Sequence, residues 1–170
     1  DGLGIRGMII GDDFRFGKDR LGDYSLLEEY GEKYDYQVFK TAAYERNGHR
    51  ISSTFVREQL LGSNFDLVTQ ILGRPYSITG TVARGQQLGA TLGFPTCNVD
   101  PGFNRIPLRG VFACEVNLGS RNFKAAVNLG SRPTVDGEKT VLLEAHILDF
   151  NEDVYGRLIE VMFRKKIRDE

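Results

Sequence analysis

The sequence predicts an α/β segment followed by a small antiparallel β-barrel or sandwich, and three observations carry that expectation. Residues 5 to 44 follow a strand, loop, helix, strand rhythm, the order of a βαβ unit. From about Arg74 onward, apolar residues recur with period two, the spacing of half-buried strands. Short turn signals separate these later strands: "GSRN" at Gly119 to Asn122 and "DG" at Asp136-Gly137.

The elements follow in order. "IRGMIIG", Ile5 to Gly11, reads as a short apolar strand of a sheet covered on both faces. It runs into "DDFRFGKDRLGD", polar and glycine-bearing, hence a loop. "YSLLEEYGEKY" has helical spacing at Leu26, Leu27 and Tyr30, and "YQVFKTAAY" reads as a second strand. Two short helices come next. "TFVREQLL" is stopped by Gly62 as its C′ residue. The second helix opens with Ser63 and Asp66 in capping-box spacing and closes at Gly73 and Pro75. The domain boundary is therefore set at about Arg74, dividing residues 1–74 from 75–170. Beyond it, "YSITGTVA", "VFACEVNL", "NFKAAVNL", "VLLEAHIL" and "LIEVMF" are five strand candidates. Phe112, Cys114, Val116 and Leu118 share one face of the second, and Phe123, Ala125, Val127 and Leu129 one face of the third.

Composition excludes several function classes. Hydrophobic residues at 41% and charged residues at 26% suit a soluble protein with a real core. With 22 basic and 23 acidic residues the net charge is −1, so no global field recruits nucleic acid or an acidic membrane. No apolar run reaches the ~18 residues needed to span a bilayer. Cys97 and Cys114 are too far apart for a CxxC pair and read as reduced thiols of a cytoplasmic protein. The opening "DGLGIRGMII" has neither an initiating Met nor a signal peptide, and reads as a piece of a longer protein.

Three segments could carry chemistry. GxxxxGK[ST], a GxGxxG opening a helix and HExxH are all absent, and His49 and His146 read as structural. In "VARGQQLGATLGFPTCN", Gly85, Gly89 and Gly93 permit backbone N–H groups to approach an anion, and Pro95 stiffens the turn. Thr96 and Asn98 then offer neutral oxygens on the same side of an extended chain, which suits Mg²⁺ completed by substrate phosphates. The alternative is a glycine-rich connection whose Thr and Asn bond their own backbone. Glu144 stands on the strand face of Leu142, His146 and Leu148. It is either exposed on a barrel exterior or held in a cleft, where desolvation would make it a better proton acceptor. In "ISSTFVREQL", Ser52, Ser53 and Thr54 gather at a helix start that attracts anions, with Arg57 one turn in. Plain N-capping is the other use of such a cluster.

Read jointly and in this order, "GDDFRFGKDRLGD", "GHRISSTFVR", "LGRPYSITGTVARG", "LGFPTCN", "RGVFACEV", "AAVNLGSRPTV", "LEAHILDF" and "VYG" span nearly the whole chain. In them the chain resembles the bacterial bifunctional riboflavin kinase/FMN adenylyltransferases, the prokaryotic FAD synthetases. The resemblance implies a Rossmann-like nucleotidyltransferase part, which joins AMP from ATP to FMN to give FAD. It also implies a six-stranded antiparallel barrel that transfers the γ-phosphoryl group of ATP to the 5′-hydroxyl of riboflavin to give FMN. Thr96 and Asn98 match the Thr and Asn of the family's "PTAN" motif, which serve Mg²⁺ and nucleotide. Gly85, Gly89, Gly93 and Pro95 accompany them in ATP binding. Glu144 matches the catalytic base, and Ser52, Ser53, Thr54 and Arg57 match the motif that binds the transferase's nucleotide phosphates.

The departures are few. Cys97 replaces the motif's alanine and should point away from Thr96 and Asn98, and Ala90 stands where a basic residue is common. The family's early histidine motif is expected upstream of Asp1, and its C-terminal helical segment beyond "RKKIRDE". Small-molecule partners (riboflavin, FMN, ATP) follow from the resemblance. Two rivals stand beside it: a non-catalytic barrel binding single-stranded nucleic acid, and an inactive fragment of the enzyme. A nucleic-acid module would want a basic face with interleaved aromatics, whereas these strands carry mixed charge.

Overall fold

The computed structural model describes residues 4–46, 48–83, 96–103, 106–133 and 139–169, with backbone alone for 131–133 and 139–140. Two compact units emerge from the packing, residues 1–52 and 53–170.

In the first unit, β1 (Gly7–Gly11) pairs in parallel with β2 (Gln37–Thr41), and α1 (Tyr24–Tyr34) connects them, so the expected βαβ rhythm is present. Asp23 caps α1 by accepting a hydrogen bond from the Leu26 N–H at 3.1 Å. Gly31 is required near the other end, because a Cβ there would lie 2.6 Å from the Tyr36 carbonyl oxygen. A two-strand ribbon follows, β3 (Glu45–Arg46) with β4 (His49–Arg50). The loop after β1 is tied by Arg50, whose guanidinium meets Asp12 at 2.5 Å and Asp13 at 3.2 Å. This pairing holds the Asp12 carboxyl below the usual carboxylate range. One expectation fails here. β1 is not covered on both faces: Ile10 is buried, but its neighbour Ile9 is 72% exposed beside an exposed Phe39.

The second unit is a closed antiparallel barrel with two helices. Its six strands are β5 (Ser77–Ala83), β6 (Cys97–Asp100), β7 (Gly110–Leu118), β8 (Arg121–Pro133), β9 (Lys139–Ile147) and β10 (Leu158–Arg168). Around the barrel the order is β10-β5-β6-β9-β8-β7, closed by β10 against both β5 and β7. Five strands were legible as period-two segments, and β6 was not. At four residues it is too short to show alternation, and Pro95 and the glycines before it read as a turn. The predicted inner faces hold: Phe112, Val116, Val127 and Leu129 are fully buried and Cys114, Leu118 and Ala125 nearly so. At Gly80 β5 approaches β6 closely, since a Cβ there would collide with the Asp100 carbonyl oxygen.

Helices α2 (Ser53–Leu61) and α3 (Phe65–Leu72) belong to the barrel unit. Leu60, Phe65 and Val68 are buried in its core, and the Phe65 ring lies 5.9 Å from Phe112 and 6.3 Å from Phe163. By packing, then, the chain divides before Ser53 rather than at Arg74. The helices looked like the tail of the α/β part because they precede the period-two texture. Their apolar faces, however, need the open end of a barrel to be buried.

The junction between the helices also differs from expectation. The left-handed residue ending α2 is Ser63 (φ 59°), not Gly62, and the N-cap of α3 is Asn64. Ser63 cannot cap while it makes that turn. The Asn64 side chain is committed to α2 instead, donating to Gln59 Oε1 at 2.8 Å. Gly73 does end α3 in the left-handed conformation expected of it (φ 70°).

Candidate active site

The alternation of β6 turns Cys97 and Val99 inward and leaves Thr96 and Asn98 half-buried on the outer face. The Cys97 side chain is buried as a consequence, and burial pushes its thiol pKa up; Cys114, deeper still, is pushed up to about 12. Neither thiol is ionised at neutral pH, which leaves both as core residues rather than nucleophiles.

Register then builds the outer wall. Asn98 is the cross-strand partner of Glu144 on β9, and Glu144 is the partner of Asn128 on β8. Asn128 in turn faces Val111 on β7, and Val111 faces Arg168 on β10. Directly opposed residues have Cβ atoms about 5 Å apart, so the row brings a carboxylate between two amides. Glu144, Asn128, Thr96 and His146 line one cavity of about 360 Å³ with Val111, Ala126 and Arg168. Asn98 shares the face but not the lining. The ion pairs among the described residues lie elsewhere, so none of them neutralises Glu144.

A second cavity has a volume of about 280 Å³. Its floor is Cys97, Ala145 and Ile147, and its wall is the β9–β10 connection from Phe150 to Tyr155. That connection is fastened at both ends. Leu148 N donates to Lys124 O at 2.8 Å, and Arg121 grips Glu152 with two bonds of 2.7 Å. The Phe150 ring meets Phe123 edge-on at 4.9 Å. At the far end Gly156 N donates to Val82 O, and Val82 N to Arg157 O, each at 2.9 Å. Thr96 lines both cavities.

Gly85, Gly89, Gly93, Pro95 and Ala90 lie outside the described residues, as does the "DG" turn. Ser53, Thr54 and Arg57 are exposed on the first turns of α2, with Arg57 Nη1 3.4 Å from Ser53 Oγ; Ser52, also exposed, closes the first unit.

Comparison with known proteins gives the family. The profile described as riboflavin kinase matches residues 72–170, more than half of the chain, and one described as FAD synthetase matches residues 1–55. This chain belongs to the riboflavin kinase family. The "Bifunctional riboflavin kinase/FMN adenylyltransferase" of Pseudomonas fluorescens is 42% identical over 170 residues, which is 100% of this chain and 55% of the relative. Its namesake in Escherichia coli (strain K12) is 44% identical over 169 residues, 99% of this chain and 54% of the relative. The chain thus spans about half the length of these relatives. The crystal structure of a macrolide-efflux protein from Streptococcus pneumoniae shares the fold, with a TM-score of 0.72 and 31% identity over 96% of this chain and 53% of that one. The FAD synthetase match ends within α2 and the riboflavin kinase match begins at the last residue of α3, so most of these two helices lies between the matches.

Within this riboflavin kinase fold, sequence reading gave no role to Asn128 or to the wall from Phe150 to Tyr155, and took His146 as structural. Asn128 was in reach: the inner-face alternation of β8 already turned it outward. Its neighbour across the sheet was not, because the β8–β9 register is not written in either strand alone.

Proposed function

We propose that the barrel unit transfers the γ-phosphoryl group of ATP to the 5′-hydroxyl of riboflavin. The observation that carries this reading is the place of Thr96 as the common wall of two cavities, only one of which holds the Glu144 carboxylate. A nucleotide in the cavity under the Phe150–Tyr155 wall would direct its terminal phosphate past Thr96. An acceptor hydroxyl in the other cavity would meet Glu144. Positioning two substrates on either side of one residue is what phosphoryl transfer asks of a protein.

In this reading Glu144 accepts the hydroxyl proton, and the alternation of β9 turns its carboxylate outward between Asn98 and Asn128. Thr96 and Asn98 would hold Mg²⁺ through neutral oxygens. No group of three or more His, Cys, Asp or Glu able to hold a metal is present among the described residues. The Thr96 and Asn98 side chains emerge half-buried from the outer face of β6, and two neutral oxygens there fit an ion that takes its other ligands from phosphate and water, as Mg²⁺ does. When bound, the ion supplies neutralisation of the phosphate charge.

Residues 75–170 are the riboflavin kinase domain in this assignment, and 1–74 the C-terminal part of an FMN adenylyltransferase domain, whose last two helices pack with the barrel. There Ser52, Ser53, Thr54 and Arg57 bind nucleotide phosphates for conversion of FMN to FAD. Riboflavin, FMN and ATP are its partners, and its place is the cytoplasm. The efflux in the name of the Streptococcus pneumoniae structure is said of that protein and is not carried over to this one. Among the described residues no helix is long and apolar enough to cross a membrane.

Steady-state kinetics of Glu144→Gln test the core of the proposal. The variant should lose ~10²–10⁴ in kcat, the usual share of a general base, with the KM for ATP little changed. A kcat near that of the wild type would remove Glu144 from the mechanism.

A further inference from the structure

Asn128 stands beside Glu144 in the outer row of the barrel, and neither composition nor the family motifs quoted above assign it a role. Asparagine is disfavoured in the middle of a strand, where a β-branched residue would pack better. The same hairpin shows what a structural pair of asparagines does. Asn117 and Asn122 face each other and bond directly, Nδ2 to Oδ1 at 2.7 Å. Asn128 has no such mate on β7, where its partner is Val111, a side chain with nothing to donate or accept. It is half-buried and lines the Glu144 cavity, so its amide is turned to whatever that cavity holds.

We infer that Asn128 is a substrate-contacting residue that recognises the polyol chain of the acceptor. The inference rests on the kinase reading above and deepens it. An ionised carboxylate only accepts hydrogen bonds, while an amide brings two donors and an acceptor. A chain of adjacent hydroxyls offers both kinds of group at each carbon. Glu144 can take the reacting hydroxyl's proton, but it cannot donate to that oxygen or to its neighbour. Asn128, one strand away on the same row, supplies the missing donor. Val111 and Ala126 beside it give the apolar surface along which the carbon chain lies.

Flavin fluorescence titration of the 170-residue chain tests this with two probes, riboflavin and lumiflavin, which share the ring system while lumiflavin carries a methyl in place of the polyol. Asn128→Ala should weaken riboflavin binding about tenfold, the worth of one good hydrogen bond, and leave lumiflavin binding unchanged. Asn128→Ser, which keeps a donor and an acceptor, should recover part of the loss; it also carries the measurement if the alanine variant does not fold. Equal weakening of both probes, or none for riboflavin, overturns the role of Asn128 and leaves the kinase reading standing. A wild-type chain that binds neither flavin overturns both.

Discussion

Thr96, Cys97 and Asn98 are consecutive, yet strand alternation sends the middle side chain into the core and the outer two to the surface of the site. Against the alanine of the family motif, Cys97 is therefore a matter of core volume, and the un-ionised thiol adds no charge to the cavity it lines. In the proposed kinase reading Thr96 carries the functional weight of the three because it borders both cavities. Thr96→Val keeps the shape and removes the oxygen. It should raise the KM for Mg²⁺-ATP about tenfold or more while changing the riboflavin KM much less, since the lost contact is to a charged partner. Kinetics with each substrate varied in turn separate the cases: equal losses for both substrates would mean a general disturbance of β6.

At the scale of elements, the β9–β10 connection acts as a strap along the second cavity, and Arg121 is its buckle. Arg121 is exposed, so its ion pair with Glu152 contributes little to global stability. Its local effect is different. Arg121 holds the Glu152 carboxyl below the usual carboxylate range, and lies 5.3 Å from the Phe123 ring that packs on Phe150. The sign follows from the lowered folded-state value. The tie is at full strength above the ordinary glutamate pKa of about 4.3 and is lost as pH falls through the lower folded value. Arg121→Ala should raise the KM for ATP several-fold with kcat and Tm nearly unchanged, and should abolish the acid dependence of that KM. A kcat loss as large as the KM change would place Arg121 in the chemistry instead. The strap also marks where sequence reading stops. The inward faces of β7 and β8 were legible because each strand carries its own alternation over eight residues or more. The pairing of Arg121 with Glu152, 31 positions apart, has no local signal. The same holds for the row from Asn98 to Arg168: four of its five members, Asn98, Glu144, Asn128 and Arg168, are polar or charged residues on strands, and only register joins them. Glu144 was singled out by its apolar neighbours, and whether it faced solvent or a cleft waited on the neighbouring strands.

For the molecule as a whole, the helices before the barrel are part of its core. Phe65 of α3 packs against Phe112 and Phe163, and the two barrel rings themselves meet edge-on at 5.3 Å. Phe65→Ala should cost about 3–5 kcal/mol, the range for removing a buried aromatic side chain. Denaturant unfolding measures it. A loss below about 1 kcal/mol would mean that α3 only rests on the barrel and that the boundary at Arg74 describes the fold better. The distinction shows why texture and packing disagreed over this boundary. Texture changes where strands begin, whereas a core ends where its last apolar side chain finds cover.

The pairing of β5 with β10 has a consequence for the birth of the protein. These are the first and last strands of the barrel, joined from Thr81–Leu158 to Ser77–Met162. On the ribosome, β5 emerges some 80 residues ahead of its partner. Until β10 follows, one side of β5 and one side of β7 remain unpaired edges, and the nascent sheet can neither close nor shield them. Closure is thus a late event in synthesis, dependent on the final long-range contact rather than on any local turn.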